Sequence, residues 1–431
     1  MSQLENAARE LIEAHQLARL QLGLQRILSS NTFYTHKYRQ SQVTLALTSL
    51  ADLKRLPFTT RHELVEDQII HHPLGNNLTY PLSNYICSHQ TSGTTGRPLR
   101  VFDTQESWDW WADCWMTVYE SAGVTRDDII YFAFSFGPFI DFWSAFEGAR
   151  RLGALAVAGG GLDSLQRLRA MQEVGATVLV CTPSYALHLA EVAWKHQIDP
   201  GSFPVHVTLH GGEQGASIPA TRQRIEQAWH AQAYDYAGMA EIGAFGFSCS
   251  EQKGIHINEG EFIVEIISPS TGGVVQQGEV GELILTNLGR WGYPAVRYRT
   301  GDLARHGGYT CSCGRSFLFL SGGVLGRVDE MLIVQGVNLY PSALADILHR
   351  FPEVQEYRII VTRSGTMDQI AIQVEGPQTL VASIQDELHS ALGLRVPVEF
   401  VEAGSLPRFE MKAGRIEDRR PRVQSGPLFL E

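Results

Sequence analysis

The sequence lacks the features that define several special classes of protein. Its longest apolar runs, such as Ile129–Phe136, are much shorter than the roughly 20 residues of a membrane-spanning helix. Cysteine is scarce, with six in 431 residues, which excludes a disulfide scaffold. Positive charge is also scarce: 35 Lys and Arg against 46 Asp and Glu give a net charge of −11, which disfavours nucleic acid as a partner. The first residues (MSQLENAARE) are charged where a signal peptide is apolar, so we expect a cytoplasmic protein without a membrane partner.

The remaining composition is that of a globular enzyme with two or three domains, at 44% hydrophobic residues with 41 Gly and 18 Pro. Residues 4–28 have helical apolar spacing. Between residues 129 and 210, apolar runs alternate with helical stretches, which predicts parallel βαβ units with helices on both faces of a sheet. Beyond about residue 255, short β-runs separated by Gly-rich turns predict an antiparallel subdomain or a small barrel.

The last hundred residues predict a separate small lobe. They read strand 331–336, helix 342–351, strands 356–363 and 369–376, helix 383–393 and strand 397–402, an α+β order. The predicted fold class is therefore α/β, with a border near Asp329. A large N-terminal domain of mixed α/β sheets spans residues 1–328 and includes a β-rich part at about 245–325. A C-terminal lobe spans residues 329–431.

The most distinctive local motif is Thr91–Pro98, TSGTTGRP. Its glycines allow the backbone to fold tightly around an anion, and its hydroxyl and N–H groups can donate to phosphate oxygens. The Gly-Lys-Ser/Thr ending of a P-loop is missing. Taken alone, the motif is equally well explained as a polar turn between strands.

Four further positions carry charges suited to a nucleotide. Asp302 follows a tight Gly turn and could bind two ribose hydroxyls, and Arg327 follows Gly326 and could bind a phosphate or sugar edge. Glu241 follows another Gly turn and suits Mg²⁺. Lys412 lies on the last loop of the small lobe. Singly, each is better explained as a surface turn or an ion pair, but their combination and order indicate a nucleotide site.

With these motifs, the chain resembles the adenylate-forming superfamily of acyl-CoA synthetases, adenylation domains and luciferases, and most of all its phenylacetate–CoA ligase branch. The resemblance rests on segments spread over residues 56–412, namely LPFTT, TSGTTGRP, RYRTGDL, CSCGR, GRVDEMLIVQGVNLYP and LPR with Lys412. It implies that ATP activates an aryl carboxylic acid to an acyl-adenylate, which is then transferred to coenzyme A. It also implies that the C-terminal lobe is mobile and turns about a hinge at Asp329.

The resemblance assigns roles to individual residues. Lys412, Glu241 and Thr94 would be catalytic, with Glu241 holding Mg²⁺ and Lys412 contacting the α-phosphate and the carboxylate. The expected nucleotide-binding positions are Ser92, Gly93, Thr95, Gly96, Gly212, Glu213, Tyr236, Ala237, Gly238, Met239, Asp302 and Arg327. Ala237 stands where the family usually has an aromatic residue against adenine, and Ala240 replaces a Ser or Thr. Adenine stacking would then come from Tyr236 or elsewhere, or be weaker.

The resemblance also gives meaning to four potential metal ligands. Cys249, His256, Cys311 and Cys313 match Cys and His positions of the phenylacetate–CoA ligase branch, and they form a Cys₃His set suited to tetrahedral Zn²⁺. Without the resemblance, the Cys-x-Cys pair is better explained as free thiols. Four protein ligands leave no open coordination position, so the predicted role of zinc is structural.

The acid pocket is expected near residues 132–142, the turn at residues 210–213 and the loop at residues 237–243. The expected pocket residues are Tyr131, Phe134, Phe136, Gly137, Phe142, His210, Gly211 and Gly243. Aromatic walls suit a flat acid such as phenylacetate, benzoate or anthranilate, although each aromatic residue could equally belong to the core. Two alternatives stay open: an adenylating enzyme that loads a carrier-protein thiol or another acceptor, and a degenerate nucleotide-binding protein. The branch also suggests a homodimer.

Overall fold

A computed structural model describes residues 4–42, 47–91, 97–328, 332–334, 337–339, 341–364, 367–408 and 414–420. The chain divides into two compact units, Met1–Val328 and Asp329–Glu431. Each unit has hydrophobic clusters of its own.

The first unit is built on a long sheet next to a two-stranded hairpin. Strands β1 (Tyr85–Gln90) and β2 (Arg100–Thr104) form the antiparallel hairpin. Among the described residues, eleven strands form the sheet in the order β10-β11-β12-β13-β9-β8-β7-β6-β5-β3-β4. In chain order these are β3 (Ile129–Phe132), β4 (Leu155–Ala158), β5 (Val178–Cys181), β6 (Val207–His210), β7 (Gln232–Met239), β8 (Gly243–Phe247), β9 (Gly254–Ile257), β10 (Phe262–Ile267), β11 (Val280–Asn287), β12 (Tyr298–Gly308) and β13 (Phe319–Arg327).

The sheet changes direction at β7. Strands β3 to β7 pair in parallel, whereas every pair from β7 through β8 and β9 to β13, β12, β11 and β10 is antiparallel. The parallel βαβ part agrees with the sequence pattern. The β-rich stretch is antiparallel as expected, but it extends the same sheet and does not close into a separate barrel, because β7 pairs with β6 on one side and with β8 on the other.

The α-helices described in the first unit are α1 (Arg9–Ser30), α2 (Thr32–Gln40), α3 (Arg61–Ile70), α4 (Gln105–Ser121), α5 (Ile140–Leu152), α6 (Ser164–Val174), α7 (Pro183–Lys195) and α8 (Pro219–Trp229). Their ends carry local signals. A capping box of Asp163 and Gln166 starts α6, and Gly153 ends α5 with a φ of 88°. No helix in the described parts of the chain has the length and apolarity to cross a membrane.

Among its described residues, the second unit contains a sheet, two helices and a core of its own. Its elements are β14 (Leu332–Val334), β15 (Val337–Leu339), α9 (Pro341–His349), β16 (Glu356–Ser364), β17 (Met367–Glu375), α10 (Leu380–Leu392), β18 (Val398–Val401) and β19 (Ile416–Asp418). The predicted strands and helices are present. Strands β15 and β19 were not predicted, because three residues are too short to show a period.

Candidate active site

Glu241 lies in the turn between β7 and β8, where the sheet changes direction. The Ile242 N–H donates to the Met239 carbonyl at 3.0 Å and closes this turn. Glu241 is only 4% exposed, and the Tyr298 hydroxyl donates to its Oε1 at 3.1 Å. Burial raises the pKa of Glu241, although the Tyr298 hydrogen bond opposes this shift. The fold therefore buries a carboxylate at the position predicted to hold Mg²⁺.

Arg61, the first residue of α3, connects Glu241 with the segments on either side of the Gly-rich motif. Its Nη2 donates to Thr91 Oγ1 at 3.3 Å and to the Arg97 carbonyl at 2.8 Å. Its Nε lies 4.0 Å from Glu241 Oε1. The predicted loop residues between these segments, together with the hinge and the catalytic lysine, lie outside the described residues: Ser92, Gly93, Thr94, Thr95, Gly96, Asp329 and Lys412. Sequence reasoning gave Arg61 no role, although it directly follows the LPFTT segment.

A buried ion pair contacts the turn that contains Glu241. Arg290 donates from Nε and Nη2 to the carboxylate of Asp103 at 2.7 and 2.6 Å, and both side chains are 0% exposed. The Nη1 of Arg290 donates to the Ala240 carbonyl at 2.5 Å. The pair thus fixes the residue directly before Glu241. No local signal could have found it, because Asp103 and Arg290 are 187 positions apart.

The two residues predicted for the ribose lie opposite each other in the sheet. Asp302 of β12 pairs in register with Arg327 of β13, and Arg327 Nη1 lies 3.4 Å from Asp302 Oδ1. Gly301 before the aspartate has a φ of 73°, a conformation that favours glycine. Tyr298, which contacts Glu241, lies on the same strand as Asp302. The structure therefore brings Asp302 and Arg327 together and connects them to Glu241 through one strand.

Part of the predicted acid pocket is an aromatic cluster between β3 and α5. Phe134 stacks on Phe142 with ring centroids 3.7 Å apart, and Phe136 meets Trp143 edge-on at 5.0 Å. The Trp143 indole N–H donates to the Gly137 carbonyl at 2.9 Å. Phe134 is buried, whereas Phe136 and Phe142 are half-buried.

Other predicted contact residues have packing roles that account for them. Tyr131 is fully buried, and a Cβ on Gly159 would lie 2.7 Å from its ring. His210 is also fully buried; its Nε2 lies 2.9 Å from Thr208 Oγ1, and burial lowers its pKa to about 4. A Cβ on Gly243 would collide with Trp110 and Phe262. Tyr131 and His210 thus point into the protein interior, and Gly243 has no room for a side chain; their assignment to the acid pocket stays a prediction.

Three of the predicted nucleotide positions, Gly212, Glu213 and Tyr236, also have defined surroundings. Tyr236 is buried with its ring centroid 4.3 Å from that of Trp115, and a Cβ on Gly211 would lie 2.3 Å from its Cζ. Both neighbours cover the ring, which argues against stacking of Tyr236 on adenine. Glu213 accepts from the Ser184 N–H at 2.9 Å. Gly212 has a φ of 83°.

A second cluster brings together the four potential metal ligands. Cys249 follows β8, His256 lies in β9, and Cys311 and Cys313 lie between β12 and β13. Their ligand atoms all lie within 4.8 Å of one another. The Sγ atoms of Cys249 and Cys311 are 3.9 Å apart, and Cys313 Sγ is 3.5 Å from His256 Nε2.

Comparison with known proteins shows the family of this chain. Residues 54–289 match the family model of AMP-binding enzymes, and residues 336–420 match that of the AMP-binding enzyme C-terminal domain. The chain belongs to the AMP-binding enzyme family. This enzyme is 30% identical to a phenylacetate-coenzyme A ligase of Pseudomonas putida, covering 97% of this chain and 96% of the relative. A phenylacetate-coenzyme A ligase of Thermus thermophilus is 31% identical over 90% of this chain and 86% of its own.

Solved structures of CoA ligases share the fold of this chain. A 2-hydroxyisobutyryl-CoA ligase in the postadenylation state, in complex with 2-HIB-AMP, has a TM-score of 0.91 at 29% identity, covering 96% of this chain and 91% of the other. The predicted fold class and the resemblance to the adenylate-forming superfamily are therefore confirmed. The predicted enzyme class, an AMP-forming acid–thiol ligase, is confirmed as well.

Proposed function

We propose that this AMP-binding enzyme activates an aryl carboxylic acid of the phenylacetate, benzoate or anthranilate type with ATP. The product is an acyl-adenylate with release of pyrophosphate, and the acyl group then passes to coenzyme A with release of AMP. The observation that carries the proposal is the match to phenylacetate-coenzyme A ligases over nearly the whole length of both chains. The half-buried aromatic rings of Phe136 and Phe142 support a flat acid.

The reaction brings a carboxylate next to a highly anionic triphosphate, and the described residues could help to bind the nucleotide and the cation that this requires. Asp302 and Arg327 would hold the ribose and its phosphate edge, and Glu241 would hold Mg²⁺. A bound Mg²⁺ supplies positive charge against the triphosphate as the α-phosphate is attacked. Arg61 would keep the carboxylate of Glu241 aligned with the ends of the Gly-rich motif. Lys412 would contact the α-phosphate and the acid during adenylation.

Pyrophosphate exchange with a panel of aryl and aliphatic acids tests the proposal. We expect exchange with at least one aryl acid, and formation of its CoA thioester with no carrier protein present. Exchange with aliphatic acids alone would refute the aryl assignment. Exchange without thioester formation would favour a carrier-protein thiol or another acceptor. Absence of ATP turnover with every acid would favour a degenerate nucleotide-binding protein. Size-exclusion chromatography with light scattering tests the homodimer.

We also propose that Cys249, His256, Cys311 and Cys313 hold a structural Zn²⁺. Tetrahedral zinc with Zn–S bonds of about 2.3 Å places two sulfur atoms about 3.8 Å apart, close to the 3.9 Å between Cys249 and Cys311. The His256 Nδ1 lies 3.2 Å from the Phe317 carbonyl, a partner that would orient the ring for metal binding through Nε2.

Zinc content and thermal unfolding test this second proposal together. We expect about one zinc per chain in the purified enzyme and a clear loss in the Cys311→Ser variant, with a lower melting temperature. Cys114→Ser is a matched control, because Cys114 is buried in α4 away from the cluster. Absence of zinc from the wild-type protein would refute the proposal.

A further inference from the structure

Asp141 has an unusual environment for a carboxylate. It lies in the first turn of α5, within the aromatic segment that contains Phe136 and Phe142. Its side chain is partly buried, and its Oδ1 is shielded from water. Among the residues that the structure describes, this oxygen has no hydrogen-bond partner. Burying a carboxylate oxygen without a hydrogen-bond donor costs folding free energy, so such a group is expected to have a function.

The surroundings of Asp141 place it at the active site. A Cβ built on Gly238 would lie 3.5 Å from Asp141 Oδ1. Gly238 has no side chain, so space remains beside the Asp141 carboxylate at this position of β7. Burial and the neighbouring Glu241 raise the pKa of Asp141 to about 6, and Arg290 partly offsets this. The carboxylate is therefore mainly ionised at neutral pH and able to accept hydrogen bonds.

The backbone of Asp141 is held rigidly. Its carbonyl accepts from Ser144 Oγ at 3.0 Å, and that hydroxyl accepts from the Trp115 indole at 2.9 Å. Trp115 in turn packs on Tyr236 of β7. The position of Asp141 relative to β7 is thus set by packed and hydrogen-bonded side chains, as a residue that discriminates between ligands requires.

From this geometry we propose that Asp141 is a specificity-determining residue that accepts a hydrogen bond from a hydroxyl or amino group of the carboxylic acid substrate. The inference rests on the proposed function and narrows its substrate class to acids that carry such a donor. An acid without a donor would leave the carboxylate unpaired while the acid is bound. A site of this kind discriminates strongly against the analogue that lacks the donor.

The test compares pyrophosphate exchange for parent acids and their substituted forms. The panel is benzoate and phenylacetate, each with its ortho, meta and para hydroxy and amino derivatives. We expect kcat/KM for at least one substituted acid to exceed that of its parent by about tenfold to a hundredfold, from the strength of a hydrogen bond to a charged group. In Asp141→Ala this preference should disappear: exchange with the substituted acid should fall, and exchange with the parent acid should rise, because no carboxylate is left unpaired beside it.

Two further variants keep the result interpretable. Asp141→Asn keeps the shape of the side chain and should retain folding but lose most of the preference, because the charge is gone. Asp127→Asn, a change at an exposed aspartate, is the matched control and should keep the wild-type preference. Thermal melts of all variants report on folding.

Each contrary outcome has a distinct meaning. If the wild-type enzyme activates acids without preferring a donor, the inference is wrong and the proposed function stands. If Asp141→Ala loses activity equally with all acids and recovers at high Mg²⁺, Asp141 serves the cation together with Glu241, and the inference is again wrong. If the wild-type enzyme supports exchange with no acid, the proposed function fails and this inference fails with it.

Discussion

Replacing Asp103 by alanine should destabilise the first unit more than any surface substitution. Asp103 and Arg290 are both 0% exposed, and two hydrogen bonds of 2.7 and 2.6 Å join them. Asp103→Ala would leave the guanidinium buried without the carboxylate that is hydrogen-bonded to it. Breaking a buried pair in this way typically costs about 3–5 kcal/mol. We therefore expect the free energy of unfolding to fall by about that amount.

Urea denaturation followed by tryptophan fluorescence measures this loss. All eight tryptophans of the chain lie before residue 329, so the signal reports on the first unit. Arg150→Ala is the control, because the ion pair of Arg150 with Glu147 is exposed and should contribute less than about 1 kcal/mol. The double variant Asp103→Leu with Arg290→Met should lose less than Asp103→Ala alone, since no buried charge is left unpaired. A loss below about 1 kcal/mol for Asp103→Ala would refute this reasoning.

Three further predictions concern the active site. Tyr298→Phe removes the hydrogen bond that lowers the pKa of Glu241. The acidic limb of the pH profile for pyrophosphate exchange should therefore move to higher pH, and the exchange rate at neutral pH should fall about tenfold. An unchanged pH profile would contradict this prediction. Burial raises the pKa of Asp141 from 3.8 to about 6, so the free energy of unfolding falls as the pH rises from about 4 through about 6. In urea titrations, the free energy of unfolding of Asp141→Asn should therefore exceed that of the wild type by about 2–3 kcal/mol at pH 7, but not at pH 4. Lys412→Ala should reduce adenylation about a hundredfold or more with ATP binding largely intact, and an unchanged exchange rate would exclude the assigned role.

The fold was predictable from sequence where local patterns are long. Alternating apolar runs and helical stretches over residues 129–210 gave the parallel strands, and the C-terminal order of strands and helices was readable apart from β15 and β19. The pattern could not reveal that the β-rich stretch extends the same sheet. That depends on β7 pairing with both β6 and β8, and the hydrophobic period of a strand does not identify the strand that lies beside it.

Motifs in the sequence were enough to name candidate site residues, whereas the burial of these residues could not be read from motifs. Glu241, Asp302 and Arg327 were assigned by motif, and the structure places the last two opposite each other. The motifs did not reveal that the rings of Tyr131 and Tyr236 are buried. A tyrosine near a glycine turn has the same local sequence whether its ring lies in the core or lines a pocket. Such a distinction depends on neighbours that are distant in sequence.

The turn that contains Glu241 combines these two kinds of information. Its carboxylate has a hydroxyl donor in Tyr298 and a cation only at 4.0 Å, in Arg61, so its charge is incompletely neutralised by the described residues. A buried carboxylate in this state favours either a proton or a metal ion. Arg290, which is paired with Asp103, donates a hydrogen bond to the neighbouring Ala240 carbonyl and so helps to hold this turn in place. The same packing that makes this carboxylate unfavourable in isolation therefore suits the Mg²⁺-binding role that we propose for it.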